Sequence, residues 1–132
     1  MLIPATRYRD PEAALVFLRD VLGLEEHAVF RDAAGAIVHA QMRCGTGLMM
    51  FGPAQGTAFD RLMVAPDETG GRESTTIHAV VADVEARHAR AMAAGAPVLM
   101  PLADQPQGGR SFTVADPEGH VWTFGDYDPL AA

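Results

Sequence analysis

Two stretches of the chain repeat apolar residues with helical spacing. In the first, Asp10-Pro11-Glu12 opens a pattern that closes at Gly23, and its apolar residues form one stripe: Ala14, Phe17, Leu18, Val21 and Leu22. Asp at an N-cap accepts hydrogen bonds from free backbone N–H groups, and glycine provides the left-handed backbone after a last turn. In the second stretch, Asp83-Val84-Glu85 opens a weaker stripe that closes at Gly95. The spacing therefore predicts two amphipathic helices, one in each half of the chain.

Segments with strand-like alternation surround both helices in the same order. One precedes each helix and three follow it, at 2–8, 25–30, 37–43, 48–52, 75–81, 97–101, 110–115 and 120–125. Both halves therefore have the order strand, helix, three strands, which predicts an α+β fold of two βαβββ modules. We expect a single domain over residues 1–130, with module one at about 1–65, a linker at about 66–74 and module two at about 75–128.

The composition excludes several classes of function. The 132 residues are 48% hydrophobic and 20% charged, as in an ordinary globular domain, and the single cysteine, Cys44, excludes a disulfide framework. Ten Lys and Arg residues against 17 Asp and Glu give a net charge of -7. Phosphate backbones and anionic membranes repel such a chain, so we expect neither nucleic-acid nor membrane binding. No apolar run suits a membrane span or a secretion signal, so a cytoplasmic location is expected.

Two motifs on this doubled plan resemble a known superfamily. Tyr8-Arg9-Asp10 before the first helix and Asp116-Pro117-Glu118-Gly119-His120 before the last strand resemble the vicinal oxygen chelate superfamily, which includes glyoxalase I, extradiol dioxygenases and bleomycin-resistance proteins. The ending, Gly108-Gly109-Arg110-Ser111-Phe112 and then Trp122 to Pro129, is similar to small bacterial glyoxalase-like, PhnB-like proteins. The resemblance covers residues 2–128. It implies curved mixed sheets with a ligand cleft, completed within the chain or across a homodimer, and we expect a homodimer.

The resemblance also implies where a divalent metal would bind. In metal-dependent members, His, Gln or Glu ligands come from the first and last strands of each module. Aligned on the helix caps, those positions here are Ile3, Met49 or Met50, Thr76 and Thr123. These side chains are not the nitrogen and carboxylate ligands that such an ion prefers. We therefore expect no metal and no other cofactor.

A different set of metal ligands stays open as an alternative. His39, His78 and His120, assisted by Gln41 or Glu118, are candidates for a noncanonical site in a metal-dependent lyase, isomerase or dioxygenase. Their spacing does not demand a metal, unlike two histidines one helical turn apart. The alternative for His120 alone is a surface residue at the exit of the Asp116–Gly119 turn.

Polar side chains on the concave face of the sheets are the candidate binding residues. Strand alternation and the repeat predict that six share that face: Arg7, His39, Gln41, Thr76, His78 and Thr123. An arginine beside histidine and hydroxyl groups suits a carboxylate, phosphonate or phenolic oxygen. The alternatives are structural, since Arg7 can bond sheet carbonyls or Asp10, and His39 with Gln41 can form a solvated strand face. The sequence thus predicts a metal-free protein that binds a small, partly apolar molecule, and leaves open whether it is an enzyme.

Overall fold

The chain folds as two copies of one βαβββ unit. In the computed structural model, which describes residues 1–131, the elements are β1 (Ala5–Tyr8), α1 (Pro11–Asp20), β2 (Glu25–Arg31), β3 (Ile37–Cys44), β4 (Gly47–Pro53), β5 (Ile77–Val80), α2 (Val84–Ala93), β6 (Val98–Asp104), β7 (Arg110–Ala115) and β8 (Val121–Gly125). Two short 3₁₀ helices, Ala58–Arg61 and Pro66–Thr69, lie between β4 and β5. The predicted α+β class and the order of its elements are confirmed.

Each module builds its own four-stranded mixed sheet. The strand orders are β1-β4-β3-β2 and β5-β8-β7-β6, so β1 and β5 are edge strands. The β1–β4 and β5–β8 pairs are parallel, and the remaining pairs are antiparallel. Helix α1 packs on β1, β3 and β4, while α2 packs on β6, β7 and β8. One face of each sheet is therefore covered by a helix, and the other face is left for further contacts.

The helix-covered faces supply one shared apolar core. Its largest side chains are at most 1% exposed, and they come from both modules: Tyr8, Met42, Phe51, Phe112, Trp122 and Phe124. Fully burying an apolar side chain of this size stabilises a fold by about 1.5–3 kcal/mol. The alternation of the strands decides which residues enter this core, because successive side chains point to opposite faces.

Several element ends differ from the sequence-based expectation. Strand β5 begins at Ile77, so Thr76 lies at the end of the linker and not in a strand. Asp10 caps α1 by accepting from the N–H of Ala13, whereas Asp83 makes no cap bond and instead pairs with Arg87 at 2.8 Å. An arginine one turn away competes successfully for this carboxylate.

Within residues 1–131, no helix is long and apolar enough to cross a bilayer.

A buried carboxylate fastens module two to module one. Asp116, 3% exposed, lies between β7 and β8. One of its oxygens accepts from the Tyr8 hydroxyl at 2.5 Å and the Trp122 indole N–H at 3.2 Å, and the other accepts from the backbone N–H groups of Glu118 and His120. Burial raises the pKa of Asp116, although the Tyr8 hydroxyl opposes the rise. Tyr8 belongs to β1 of module one, so its hydrogen bond to Asp116 connects the two modules across 108 positions of the chain.

Module two also holds both ends of α1. The Glu118 carboxylate accepts from the backbone N–H groups of Arg9 and Asp10 at 2.6 and 2.9 Å, where an anion is favoured by the helix dipole. At the other end, Arg87 and Arg90 of α2 donate to the carbonyl oxygens of Leu22 and Asp20, both at 2.8 Å. These contacts fix the two modules relative to each other.

We expect Tyr8→Phe to destabilise the fold by about 2 kcal/mol at pH 7, because it removes a hydrogen bond to a buried charged group. The pKa of Asp116 is raised in the folded state, so folding favours the protonated form of this carboxyl group. The stability that this gives is complete below the ordinary Asp pKa and is lost as pH rises through the raised value. Tyr8 limits that loss by stabilising the ionised form. The cost of Tyr8→Phe, measured by urea unfolding, should therefore be smaller at pH 4 than at pH 7. An equal cost at both pH values would contradict this account.

Candidate functional site

Three predicted site residues lie on the face of the first sheet that α1 does not cover. Gln41 pairs with Met50, which pairs in turn with Ala5. Arg7, two residues beyond Ala5, is half-buried, while its neighbours Thr6 and Tyr8 are buried on the helix side. On this face, the side-chain amide of Gln41 lies 3.1 Å from the Nε2 atom of His39. The structure thus places Arg7, His39 and Gln41 on one surface.

The guanidinium of Arg7 occupies space that glycine leaves free. Arg7 pairs with Gly52 of β4, where an added Cβ would overlap its Nη1 atom. Above it, the Phe59 ring of the first 3₁₀ helix has its centroid 4.3 Å from the guanidinium carbon, which is cation–π distance. Gly52 and Phe59 therefore hold the guanidinium between the sheet and the linker.

Arg7 lacks the carboxylate partner that most of the other arginines have. Five arginines are within ion-pair distance of an acidic side chain: Arg9, Arg19, Arg31, Arg87 and Arg110. Among the described residues, none places a carboxylate within 4.0 Å of Arg7, so it does not pair with Asp10. The nearby Asp60 accepts from the Gly56 and Thr57 N–H groups of its own loop, and these bonds, together with the more distant charge of Arg7, hold the pKa of this carboxyl below its usual range. The donors of Arg7 are thus available to a ligand.

The second sheet carries a different set of polar groups on its uncovered face. His78 pairs with Thr123, and Thr123 pairs with Thr113. The two threonine hydroxyls lie 2.8 Å apart and hydrogen-bond each other. His78 approaches Gly125, where an added Cβ would lie 3.5 Å from its Cε1 atom. That distance is an ordinary van der Waals contact, so Gly125 does not make room for His78 in the way that Gly52 makes room for Arg7.

The six predicted site residues do not form one cluster within the chain. Arg7, His39 and Gln41 share the first sheet, and His78 and Thr123 share the second. Thr76 lines a cavity between the modules. In residues 1–131, no hydrogen bond joins the first group to the second, and neither of the two cavities beside the linker contains residues of both groups.

The family-type metal positions do not fit a divalent ion. Met50 lies on the uncovered face of its sheet, whereas Met49 is 3% exposed beneath α1. None of these positions, Met49 or Met50 with Ile3, Thr76 and Thr123, carries an imidazole or carboxylate group that could bind the ion. The alternative set is not assembled either, because no three His, Cys, Asp or Glu side chains of the described chain converge on one point. Instead, His39 bonds Gln41, His78 lies at Gly125, and His120 bonds Glu73.

His120 lies inside the junction between the modules and not on the surface. It is 7% exposed, its Nδ1 atom lies 2.6 Å from Glu73, and its Nε2 atom lies 3.0 Å from the carbonyl oxygen of Arg7. The expectation of a surface turn residue was wrong for this side chain. The Asp-Pro-x-Gly turn was recognisable in the sequence, but nothing local indicated that Glu73 or β1 would cover its exit.

Cys44 is a poor candidate for a nucleophile. It is half-buried at the end of β3, and burial raises the pKa of its thiol. The thiolate is the reactive form, so a raised pKa lowers reactivity at neutral pH.

Two cavities flank the linker between the modules. One, of about 490 Å³, lies beside Arg7 and is also lined by Arg9, Asp60, Met63 and His120. The other, of about 520 Å³, is lined by Thr6, Thr76, Ile77 and His120, together with the linker. Both volumes are in the usual range for small-molecule sites.

The fold and the sequence together define the class of this protein. The chain matches the Glyoxalase/Bleomycin resistance protein/Dioxygenase superfamily over residues 4–124. It belongs to this superfamily.

Individual relatives support the same assignment. The crystal structure of TioX from Micromonospora sp. ML1 is similar over 100% of this chain and 99% of its own, with a TM-score of 0.77 and 30% identity. The fosfomycin resistance protein FosX from Listeria monocytogenes, at 17% identity and a TM-score of 0.65 over 98% of this chain and 93% of its own, shares the fold. An uncharacterized protein of Mycobacterium bovis is 37% identical over 91 residues, which are 69% of this chain and 59% of that protein.

Proposed function

We propose that this protein binds a small, partly apolar molecule with an anionic group, and that it needs no metal to do so. The observation that carries the proposal is the Arg7 guanidinium, which has no carboxylate partner among the described residues and is held between Gly52 and Phe59. In a chain with a net charge of -7, the surroundings disfavour anions in general. A site built around one arginine therefore selects for an anionic group in a defined position.

The uncovered face that carries Arg7 also offers apolar side chains to a ligand, including Phe30 on β2 at the opposite edge of the sheet. Phe30 is 51% exposed and its ring centroid lies 5.7 Å from that of His39. Met50, next to Gln41, adds a flexible apolar side chain to the same face. A carboxylate, phosphonate or phenolate on an aromatic or aliphatic body is the ligand class that this combination favours.

The remaining polar groups belong to the second sheet, and we propose that a second copy of the chain brings them to the ligand. Within one chain, His78 and Thr123 make no described contact with the Arg7 surface. A homodimer in which the uncovered face of one first sheet meets that of its partner's second sheet would unite the two sets. This arrangement also agrees with the apolar side chains that those faces expose, such as Phe30 and Val80.

The homodimer predicts twice the chain mass in light scattering at micromolar protein concentration. Phe30→Glu should shift the population toward monomer, because it places a charge in an apolar contact. Val16→Glu, on the exposed side of α1, is the matched control and should leave the dimer intact. A monomeric wild-type protein would contradict the proposed assembly.

A metal-dependent lyase, isomerase or dioxygenase is the competing class. It predicts about one tightly bound Ni, Zn, Fe or Mn per chain after purification without chelators. The binding function proposed here predicts substoichiometric metal by mass spectrometry and unchanged thermal stability after dialysis against a chelator. One retained ion per chain would overturn metal independence.

Phenylphosphonate is a suitable probe for the Arg7 site, with affinity measured by calorimetry. Arg7→Ala should weaken its binding about 30-fold or more, because a clamped anion loses its charged donor. Gly52→Ala should cause a similar loss, because the new Cβ displaces the Arg7 guanidinium from its place. The fold should persist, because the long Arg7 side chain can move aside. Thr123→Val should cost about tenfold or less, the value of one neutral hydrogen bond.

Arg61→Ala is the control for charge, because it removes an equally charged but exposed side chain. It should change phenylphosphonate affinity less than about twofold. Equal losses in Arg61→Ala and Arg7→Ala would show that only net charge matters, and would contradict the proposed site.

A further inference from the structure

The larger of the two cavities is lined by residues of both edge strands, β1 and β5. It has a volume of about 520 Å³ and is bounded by Pro4 to Thr6 at β1, by linker residues from Leu62 onward, and by Ile77 and Val121 of module two. Neither Arg7 nor His39 lines it, although it shares Met63, Val64 and His120 with the cavity beside Arg7. Its walls come from both modules and from the linker.

Two buried polar side chains line this cavity. Thr6 is 8% exposed and His120 is 7% exposed. Both ring nitrogens of His120 are already engaged, one with Glu73 at 2.6 Å and the other with the carbonyl oxygen of Arg7 at 3.0 Å. The Glu73 carboxylate also accepts from the backbone N–H of Val121 at 2.9 Å, so this pair is satisfied within the protein. The buried part of the cavity therefore offers a ligand no unpaired ionisable side chain.

The Thr6 hydroxyl is poorly satisfied by its protein neighbours. Its oxygen lies 3.5 and 3.4 Å from the two ring nitrogens of His120. These distances are longer than those of a usual hydrogen bond made by a hydroxyl group. Since those nitrogens have closer partners, the hydroxyl can donate to, or accept from, a molecule in the cavity. A buried hydroxyl without a good partner is unfavourable, so such a molecule would gain from meeting it.

The walls are mainly apolar and partly open to water. Ile77, Val121 and Pro66 form part of the lining, and Leu62 and Val64 of the linker add side chains that are 71% and 62% exposed. An apolar ring system seated here would remove these side chains from water, which is favourable in proportion to the area covered.

We propose that this cavity is a second binding site, for an uncharged molecule with an apolar ring system and one hydroxyl or carbonyl group that meets Thr6. A charged ligand would lose hydration without gaining a free partner, because His120 and Glu73 are already paired with each other and Arg72 is exposed. The site does not depend on the anion site at Arg7, so either can fail without the other.

The probe is 2-naphthol, which is uncharged at neutral pH and carries one hydroxyl group on two fused rings. The chain has three isoleucines, and of these Ile77 lines the cavity while Ile37 lies in the core. In methyl NMR spectra of the full chain, the Ile77 signal should shift saturably with a dissociation constant on the order of 0.1–1 mM. The Ile37 signal should stay in place. An unmoved Ile77 signal at saturating probe, or equal shifts of both signals, would overturn the proposal.

Two variants test how the molecule is held. Thr6→Val keeps the shape and removes the hydroxyl, so it should weaken 2-naphthol binding about five- to tenfold, whereas Thr113→Val, another buried strand threonine, should leave affinity unchanged. Thr75→Trp should fill the cavity and abolish the Ile77 shift, while Thr46→Trp in the exposed β3–β4 turn should not. Unchanged binding in both Thr6→Val and Thr75→Trp would exclude this cavity as the site.

Discussion

The buried carboxylate of Asp116 is the constraint on which the arrangement of the two modules depends. A charged group this deeply buried is tolerated only when its oxygens are satisfied, and here the donors come from the Asp116–His120 turn, from Trp122 of β8 and from Tyr8 of β1. Module two therefore satisfies its own buried charge only when module one is in place. The geometry of the junction, including His120 and the cavities on either side of the linker, follows from this requirement.

The repeat supplies one backbone plan with two chemistries. Gly52 and Gly125 hold corresponding positions late in β4 and β8, but of the two it is Gly52 that leaves room for a polar side chain, the Arg7 guanidinium of its strand partner. The strand partner of Gly125 on β5 is the apolar Val80, and the exposed His78 lies two residues before it. The repeated backbone thus carries different side chains at matching positions, so the two faces are suited to different parts of a ligand.

The sequence predicted those features that depend on neighbours close along the chain. Helical spacing and caps predicted α1 and α2, and alternation predicted the strands, because both periodicities are local. The start of β5 was misplaced, since sheet pairing and not alternation decides where a strand begins. Other contacts join residues from opposite halves of the chain or from the linker, and these are Tyr8 with Asp116, His120 with Glu73, and Arg7 with Phe59. Such contacts leave no local pattern, so the junction and its cavities emerged only from the structure.

The same backbone segment serves both proposed binding sites. The carbonyl oxygen of Arg7 accepts from His120, while the side chain of Arg7 extends over Gly52 toward Phe59. Its neighbour Thr6 turns to the opposite side, into the cavity between the modules. Because successive side chains of one strand point to opposite faces, β1 presents a cation to one site and a neutral hydroxyl to the other. Separation of an anionic from an uncharged ligand is therefore a consequence of strand geometry, and it requires no second domain.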